Sequence, residues 1–455
     1  MAMLQRNCWS RSDRLAPLSL LLAALALGGC ATTHPLMPTP VLYTGATAKP
    51  LFTDVPAESR TPPLDLLYIT DRAPAAGPDD VRPYTSKRSR SVAFGATTVE
   101  FGEGVSWDTL VSQSTSAERK REIDLTLGPT KELGHYPRVP YRIAEAPMGI
   151  SRAPDFVEAH EKANKELQAE VARRLALSPR KEIVLFVHGY ANTFQDAALT
   201  MGELCHFLGR EFVCAIFTWP AAGSGGVFFG YDVDRESSEF AVADLRKAIR
   251  AIADTPGLER IHLLAHSRGT DVLVTAVSEL SVEAYITETT LGQRFKIGNV
   301  ILMAPDIDAD VASIKMFKVY SDPDLPHGKA PAPNAIIPTS TGFHLTTYVS
   351  PGDKALGISG WLFGSLARMG RLDTSWFSPQ DFEQARMVGL FDIVQVPSSG
   401  CFICHSYFVS NPSASSDIIA MLRYGLKPNE PGRPLVEVQR PFWRLPTEAE
   451  LGAAK

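Results

Sequence analysis

The chain is 455 residues long, 45% apolar and 21% charged, with 45 basic against 50 acidic side chains and a net charge of -5. A chain of this length holds one large domain with an extension, or two domains. Its mild acidity, with no basic excess, argues against a nucleic-acid partner.

The N-terminal residues stand apart. Arg6, Arg11 and Arg14 precede an apolar run from Leu18 to Leu27, which ends in Leu27-Gly28-Gly29-Cys30. A charged start, a short apolar run and small residues at its end predict a secretory signal over 1–29, too short for a comfortable membrane span. The cysteine directly after Leu-Gly-Gly resembles a bacterial lipobox, in which the signal is cut before the cysteine and its thiol and new amino terminus are acylated. The resemblance implies lipidation of Cys30 by acyl groups such as palmitate and a place in the cell envelope. Ala31 at the next position favours the outer membrane. A diacylated, N-acylated cysteine supplies more than the two signals that stable anchoring takes. The alternative is a plain signal peptide with a chance cysteine. After processing, Cys205, Cys214, Cys401 and Cys404 stand in an oxidising compartment and could form two disulfides. Sequence leaves the pairing open: Cys401 with Cys404 locally, or one of them with Cys205 or Cys214.

Residues 30–60, rich in Pro, Thr and Ala with little periodicity, read as a flexible tether. Over 61–180, short strand-like pieces (65–70, 91–94, 97–101) are separated by Gly, Pro and charged turns and predict antiparallel strands. They are followed by an amphipathic helix over 156–177. From 181 to 425 the chain alternates: strand 183–187, helix 195–209, strand 212–217, helix 237–253, strand 261–265, a helix ending near 280, strand 298–303, a helical stretch from Ala309, then strands 343–349 and 390–396. Continuous apolar strands alternating with helices predict an α/β fold with a mostly parallel sheet covered on both faces. Residues 426–455 read as a C-terminal tail.

Within that core Ser267 is the most informative residue. In Ala265-His266-Ser267-Arg268-Gly269 it stands between an apolar strand and a helix, with small residues flanking it. A nucleophile elbow needs that context, because the sharp turn lifts the hydroxyl clear of the sheet and aims a helix-start N–H at a developing oxyanion. The bland alternative is an ordinary turn whose serine caps a helix. Other reactive groups also fall at strand ends, where an open parallel sheet gathers its site. The first sheet strand of the alternating region ends in His188-Gly189-Tyr190, the strand 343–349 in Ser350-Pro351-Gly352-Asp353, and the strand 390–396 leads to His405. The order Ser267, Asp353, His405 is that of an α/β-hydrolase triad. The imidazole would take the serine proton and the carboxylate would fix its tautomer. The N–H groups of Tyr190 and Arg268 are the candidate oxyanion hole. Asp306 is the alternative acid, Asp308 and Asp310 read as helix caps, His188 and His266 as structural histidines, and Trp219-Pro220 as a pocket wall.

The segments 186–194, Phe217-Thr218-Trp219-Pro220, Ala265-His266-Ser267-Arg268-Gly269, Ala304-Pro305-Asp306-Ile307-Asp308 and 348–356, with His405-Ser406-Tyr407, resemble a bacterial family of α/β-hydrolases without an assigned function. The resemblance covers roughly residues 64 to 425. It implies the α/β-hydrolase fold, to which the strands over 61–180 add an N-terminal antiparallel extension, and a Ser-Asp-His triad, and it says little of substrate. The commoner elbow of that family carries His-Ser-Met-Gly, so Arg268 departs from it; the arginine either tunes acyl preference or faces solvent.

A competing motif is Cys401-x-x-Cys404-His405, the c-type haem attachment pattern. Its position after the last core strand, where a hydrolase histidine belongs, favours the base over the iron ligand. The body cysteines lack the second close pair of a zinc site. The loop at Gly223-Ser224-Gly225-Gly226 lacks the ending of a phosphate loop and reads as a flap or a surface loop. The reading is therefore an envelope-anchored serine hydrolase of carboxylesterase or lipase type, acting on a small-molecule or lipid ester with no cofactor and no metal. Its rivals are a non-catalytic envelope binding or assembly protein on the same scaffold, and the haem protein.

Overall fold

The computed structural model describes residues 34–45, 48–77, 82–221, 226–328, 330–331, 342–362, 367–397, 405–447 and 450. The signal segment, Cys30, the loop 222–225 and the Cys401–Cys404 pair lie outside the described residues.

Twelve strands form one sheet, in the order β1-β4-β3-β2-β8-β7-β9-β10-β13-β14-β16-β15. In chain order these are β1 (His34–Pro35), β2 (Leu64–Pro74), β3 (Tyr84–Phe101), β4 (Asp124–His135), β7 (Glu182–Val187), β8 (Val213–Thr218), β9 (Arg260–His266), β10 (Ile297–Met303), β13 (His344–Val349), β14 (Phe391–Gln395), β15 (Val436–Gln439) and β16 (Phe442–Arg444). Two small ladders stand outside it, β5 (Ile143–Ala146) with β6 (Gly149–Arg152), and β11 (Pro326–His327) with β12 (Ala330–Pro331). The strands from β2 across to β16 run parallel. The antiparallel part is β1, β4, β3 and β2 at one edge and β15 at the other.

The apolar runs of the strands explain this. In β7, Ile183, Leu185 and Val187 enter a core covered by the helices Pro154–Leu177, Gly226–Ala253 and Gly269–Ile286, while Val184 and Phe186 enter a second core under Phe194–Phe207 and Pro412–Tyr424. A strand buried on both faces has no polar alternation to show. The helix Phe194–Phe207 begins with a capping box, Thr193 accepting from Asp196 N–H while the Asp196 carboxylate accepts from Thr193 N–H. Among the described residues no helix is long and apolar enough to cross a membrane.

Four expectations change. The tether is not loose from His34 onward: β1 pairs with the start of β4, Met37 N–H donates to buried Glu203 at 2.9 Å, Tyr43 O–H donates to Phe207 O at 2.6 Å, and Leu36, Met37, Phe52 and Val55 are buried. Its apolar residues are spread without period, yet they cover the helix Phe194–Phe207. The C-terminal tail is part of the sheet, for β16 adds parallel to β14 and buries Phe442 and Trp443. Cys205 is bonded to Cys214, which excludes either from pairing with Cys401 or Cys404. The helix expected over 237–253 also starts earlier, at Gly226.

Candidate active site

The carboxyl edge of the parallel strands brings the separate strand ends together. β9 ends at His266, and Ser267 follows with φ of 52°, a left-handed conformation that a non-glycine residue adopts only under constraint. The constraint is visible: Ser267 N–H donates to Met303 O at 3.0 Å, and Ser267 O accepts from Asp306 N–H at 3.2 Å and Thr270 O–H at 2.6 Å. The helix Gly269–Ile286 starts directly behind it. Gly269 is required by contact, since a Cβ there would lie 2.2 Å from His188 O, and a Cβ on Gly189 would lie 2.8 Å from Ser267 Cβ. The elbow and the turn after β7 are thus packed closely against each other, and Arg268 and Tyr190 each follow directly on this packed contact, one after Ser267 and one after Gly189.

Ser267 Oγ lies 2.7 Å from His405 Nε2, and His405 Nδ1 lies 2.8 Å from Asp353 Oδ2. An ionised carboxylate only accepts, so Nδ1 carries the proton and Nε2 is left to accept from the serine hydroxyl. Asp353 is 1% exposed, and its other oxygen accepts from Leu356 N–H at 3.1 Å. Asp306 takes no part in this chain; its carboxylate accepts from Ser359 O–H at 2.9 Å and faces Arg368 at 3.5 Å. Asp308 caps the helix Ala309–Met316 through Asp310 and Val311 N–H, and Asp310 lies in its first turn. Both ring nitrogens of His405 are engaged by Ser267 and Asp353, a geometry that suits a base.

The neighbouring histidines brace the site. His266 is buried beneath the elbow, its ring 4.9 Å from that of His405, and its Nε2–H donates to His405 O at 3.2 Å. Burial holds its pKa down to about 3, so it stays neutral. His188 is fully buried, and burial followed by the Arg72 charge pushes its pKa well below the usual value. Its Nδ1–H donates to Gly189 O at 2.9 Å and its Nε2 accepts from Trp219 N–H at 3.1 Å. Trp219 is completely buried, stacks on His188 at 5.2 Å and donates its indole N–H to His188 O, so it braces the turn and is no pocket wall.

Arg72, which the sequence reading did not single out, organises this layer. Its guanidinium donates to Asn192 O at 2.6 Å, Thr218 Oγ1 at 2.8 Å, Ala221 O at 3.1 Å and Thr85 O at 3.2 Å, and approaches His188 Nε2 at 3.3 Å. A charged Asp71-Arg72 pair one residue beyond the apolar run 66–69 was the available signal. Arg268 does not face solvent: it is 6% exposed and paired with Asp271 at 2.8 Å. Among the described residues no cluster of three His, Cys, Asp or Glu side chains could hold a metal. An apolar cavity of about 780 Å³ lies between the helices Ala309–Met316 and Pro379–Val388, and Ser267, Asp353 and His405 do not line it.

A family match agrees with this architecture. The family described as alpha/beta hydrolase of unknown function (DUF900) matches residues 163–422. No curated protein matches. Among solved structures the chain is similar to a predicted CIB-like hydrolase from Thermoplasma acidophilum, with 14% identity over 54% of this chain and 88% of that one and a TM-score of 0.29. It is similar also to a carboxylesterase from Bacillus subtilis, with 11% identity over 58% and 100% and a TM-score of 0.28. Esterase B from Lactobacillus rhamnosis shares 13% identity over 54% and 76%, with a TM-score of 0.30.

Proposed function

The chain belongs to the alpha/beta hydrolase family whose pattern spans its residues 163–422, and on that premise we propose that it is an envelope-anchored serine hydrolase cleaving carboxylic esters through an acyl-enzyme. One observation carries the reading: the hydrogen-bonded series Ser267, His405, Asp353, with the serine in a constrained turn at the carboxyl edge of the sheet.

In the proposed reaction His405 Nε2 takes the proton of Ser267 as Oγ bonds to the ester carbonyl carbon. The carbonyl electron pair moves to oxygen, and the N–H groups of Tyr190 and Arg268 hold that oxyanion, each worth about 3 kcal/mol of transition-state stabilisation. The imidazolium, steadied by Asp353, returns its proton to the leaving alkoxide, which departs as the alcohol. Water then repeats the sequence on the acyl-enzyme, with the same histidine as base, releasing the carboxylic acid and free serine. The lipidated Cys30 belongs to the same proposal and would hold the enzyme in the envelope, with the outer membrane favoured.

The test is labelling of the purified protein with a fluorophosphonate, with mass mapping of the adduct. The expected adduct sits on Ser267 and disappears in Ser267→Ala and His405→Ala. A folded wild-type protein that takes no label would sink the enzymatic reading in favour of a binding scaffold.

A further inference from the structure

The β5–β6 hairpin is the most exposed apolar feature of the described residues. Its strands pair only with each other. Ile143, Met148 and Ile150 are exposed by 60%, 101% and 72%, and a Cβ added at Gly149 would meet nothing within 4 Å. An isolated two-stranded ribbon is marginal in water, and three large apolar side chains on one mark a surface built to be covered. Residues 137–153 carry Arg138, Arg142 and Arg152 against Glu145 alone, and Arg142 is paired with Asp155 on the next helix.

The place of the hairpin in the fold indicates what covers it. β4 is antiparallel to β3 and β3 to β2, so β4 runs the same way as β9. The segment after β4 therefore leaves the sheet at the edge where Ser267 sits. At the other end of β4, its first residues pair with His34 and Pro35. Cys30 stands four residues before His34, a reach of at most about 14 Å. With His34–Tyr43, Phe52 and Val55 held on the body, an acylated Cys30 has no long tether, and the bilayer must lie close to β4.

We propose that the β5–β6 hairpin docks on an anionic phospholipid bilayer tip first, placing Met148 in its turn and Ile150 beside it at the acyl chains, with Arg142, and Ile143 with its cross-strand partner Arg152, at the headgroups. The inference rests on the lipid-anchor part of the function proposed above. Anchor and hairpin stand at opposite ends of one edge strand, so two contacts fix the rotation that one lipidated residue leaves free. The bilayer then runs along β4 and holds Ser267, five strand spacings away, roughly 24 Å from it. Apolar insertion and arginine attraction to anionic headgroups act together in such interfacial binding.

The experiment uses the mature lipidated chain in vesicles of phosphatidylglycerol and phosphatidylethanolamine with brominated acyl chains. Met148→Trp, with Ile150→Trp as a second probe, is compared with Met387→Trp on the helix leading into β14, at the far side of the sheet. The expected result is roughly twofold quenching of the emission added at 148 and 150 and none at 387. Equal emission at all three positions in floating vesicles overturns the docking, and so does a chain that does not float. Hydrolysis of a soluble short-chain ester, measured on the same samples, reports the hydrolase reading separately.

Discussion

Arg72 shows how one buried side chain can hold together the loops beside Ser267 without touching it. It is almost wholly enclosed, and burial lowers its pKa to about 10, which still leaves it charged at neutral pH. Its donors hold Asn192, Thr218 and Ala221, the loops after β7 and β8, while His188 between them takes the tautomer that Trp219 N–H allows. The consequence for Tyr190 is positional, because its N–H can serve an oxyanion only if the 188–192 turn keeps its place against Ser267. Arg72→Met is therefore expected to lower kcat on a soluble ester by about 10- to 100-fold with a much smaller change in KM. Arg72→Lys, which keeps charge but loses the fork, should recover part of it. Equal loss in KM and kcat, or loss of folded protein in both variants, would argue for a merely structural arginine.

At the scale of elements, the bond Cys205–Cys214 joins the helix Phe194–Phe207 to the start of β8, at the end of that strand away from Ser267. Closing a loop of this separation constrains the unfolded chain by about 3 kcal/mol. The double variant Cys205→Ala, Cys214→Ala should lose stability of that order in denaturant while hydrolysing a soluble ester normally at 25 °C. A variant as stable as wild type would show that packing alone fixes this corner. The elbow is the opposite kind of element, since its contact of Gly269 with His188 O leaves no room for relaxation. Strain stored at Ser267, of order 1–3 kcal/mol, persists because two elements hold it from both sides.

For the whole molecule, the buried histidines set the response to acid. Burial holds His266 down to about 3 and pushes His188 and His206 well below their usual value. Between about pH 6.5 and those folded values the unfolded chain binds protons that the folded chain refuses. Stability is thus fully present above that window and falls as pH drops through it, by up to about 1.4 kcal/mol per pH unit for each histidine. Asp71, raised by burial first and Asp244 second, works the other way, adding stability as pH falls toward ordinary carboxylate values. Denaturant melts from pH 8 to 5 should show the decline, with a shallower slope in His206→Gln, whose site is remote from Ser267. An unchanged slope in that variant would remove His206 from the account.

The alternation of apolar strands with helices was legible from residue 181 onward, because two-sided burial demands continuous apolar runs and the elbow demands small residues around Ser267. The order of Ser267, Asp353 and His405 at strand ends was legible for the same reason, since each strand end announces itself locally. Tertiary structure alone chose Asp353 over Asp306 for His405, joined Cys205 to Cys214, and folded His34–Tyr43, Phe52, Val55 and residues 436–444 onto a body that composition had left without them. It alone also enclosed Arg72 among the loops. These choices depend on distances between residues far apart in the chain, and no periodicity in the sequence encodes which of several chemically equal partners will arrive.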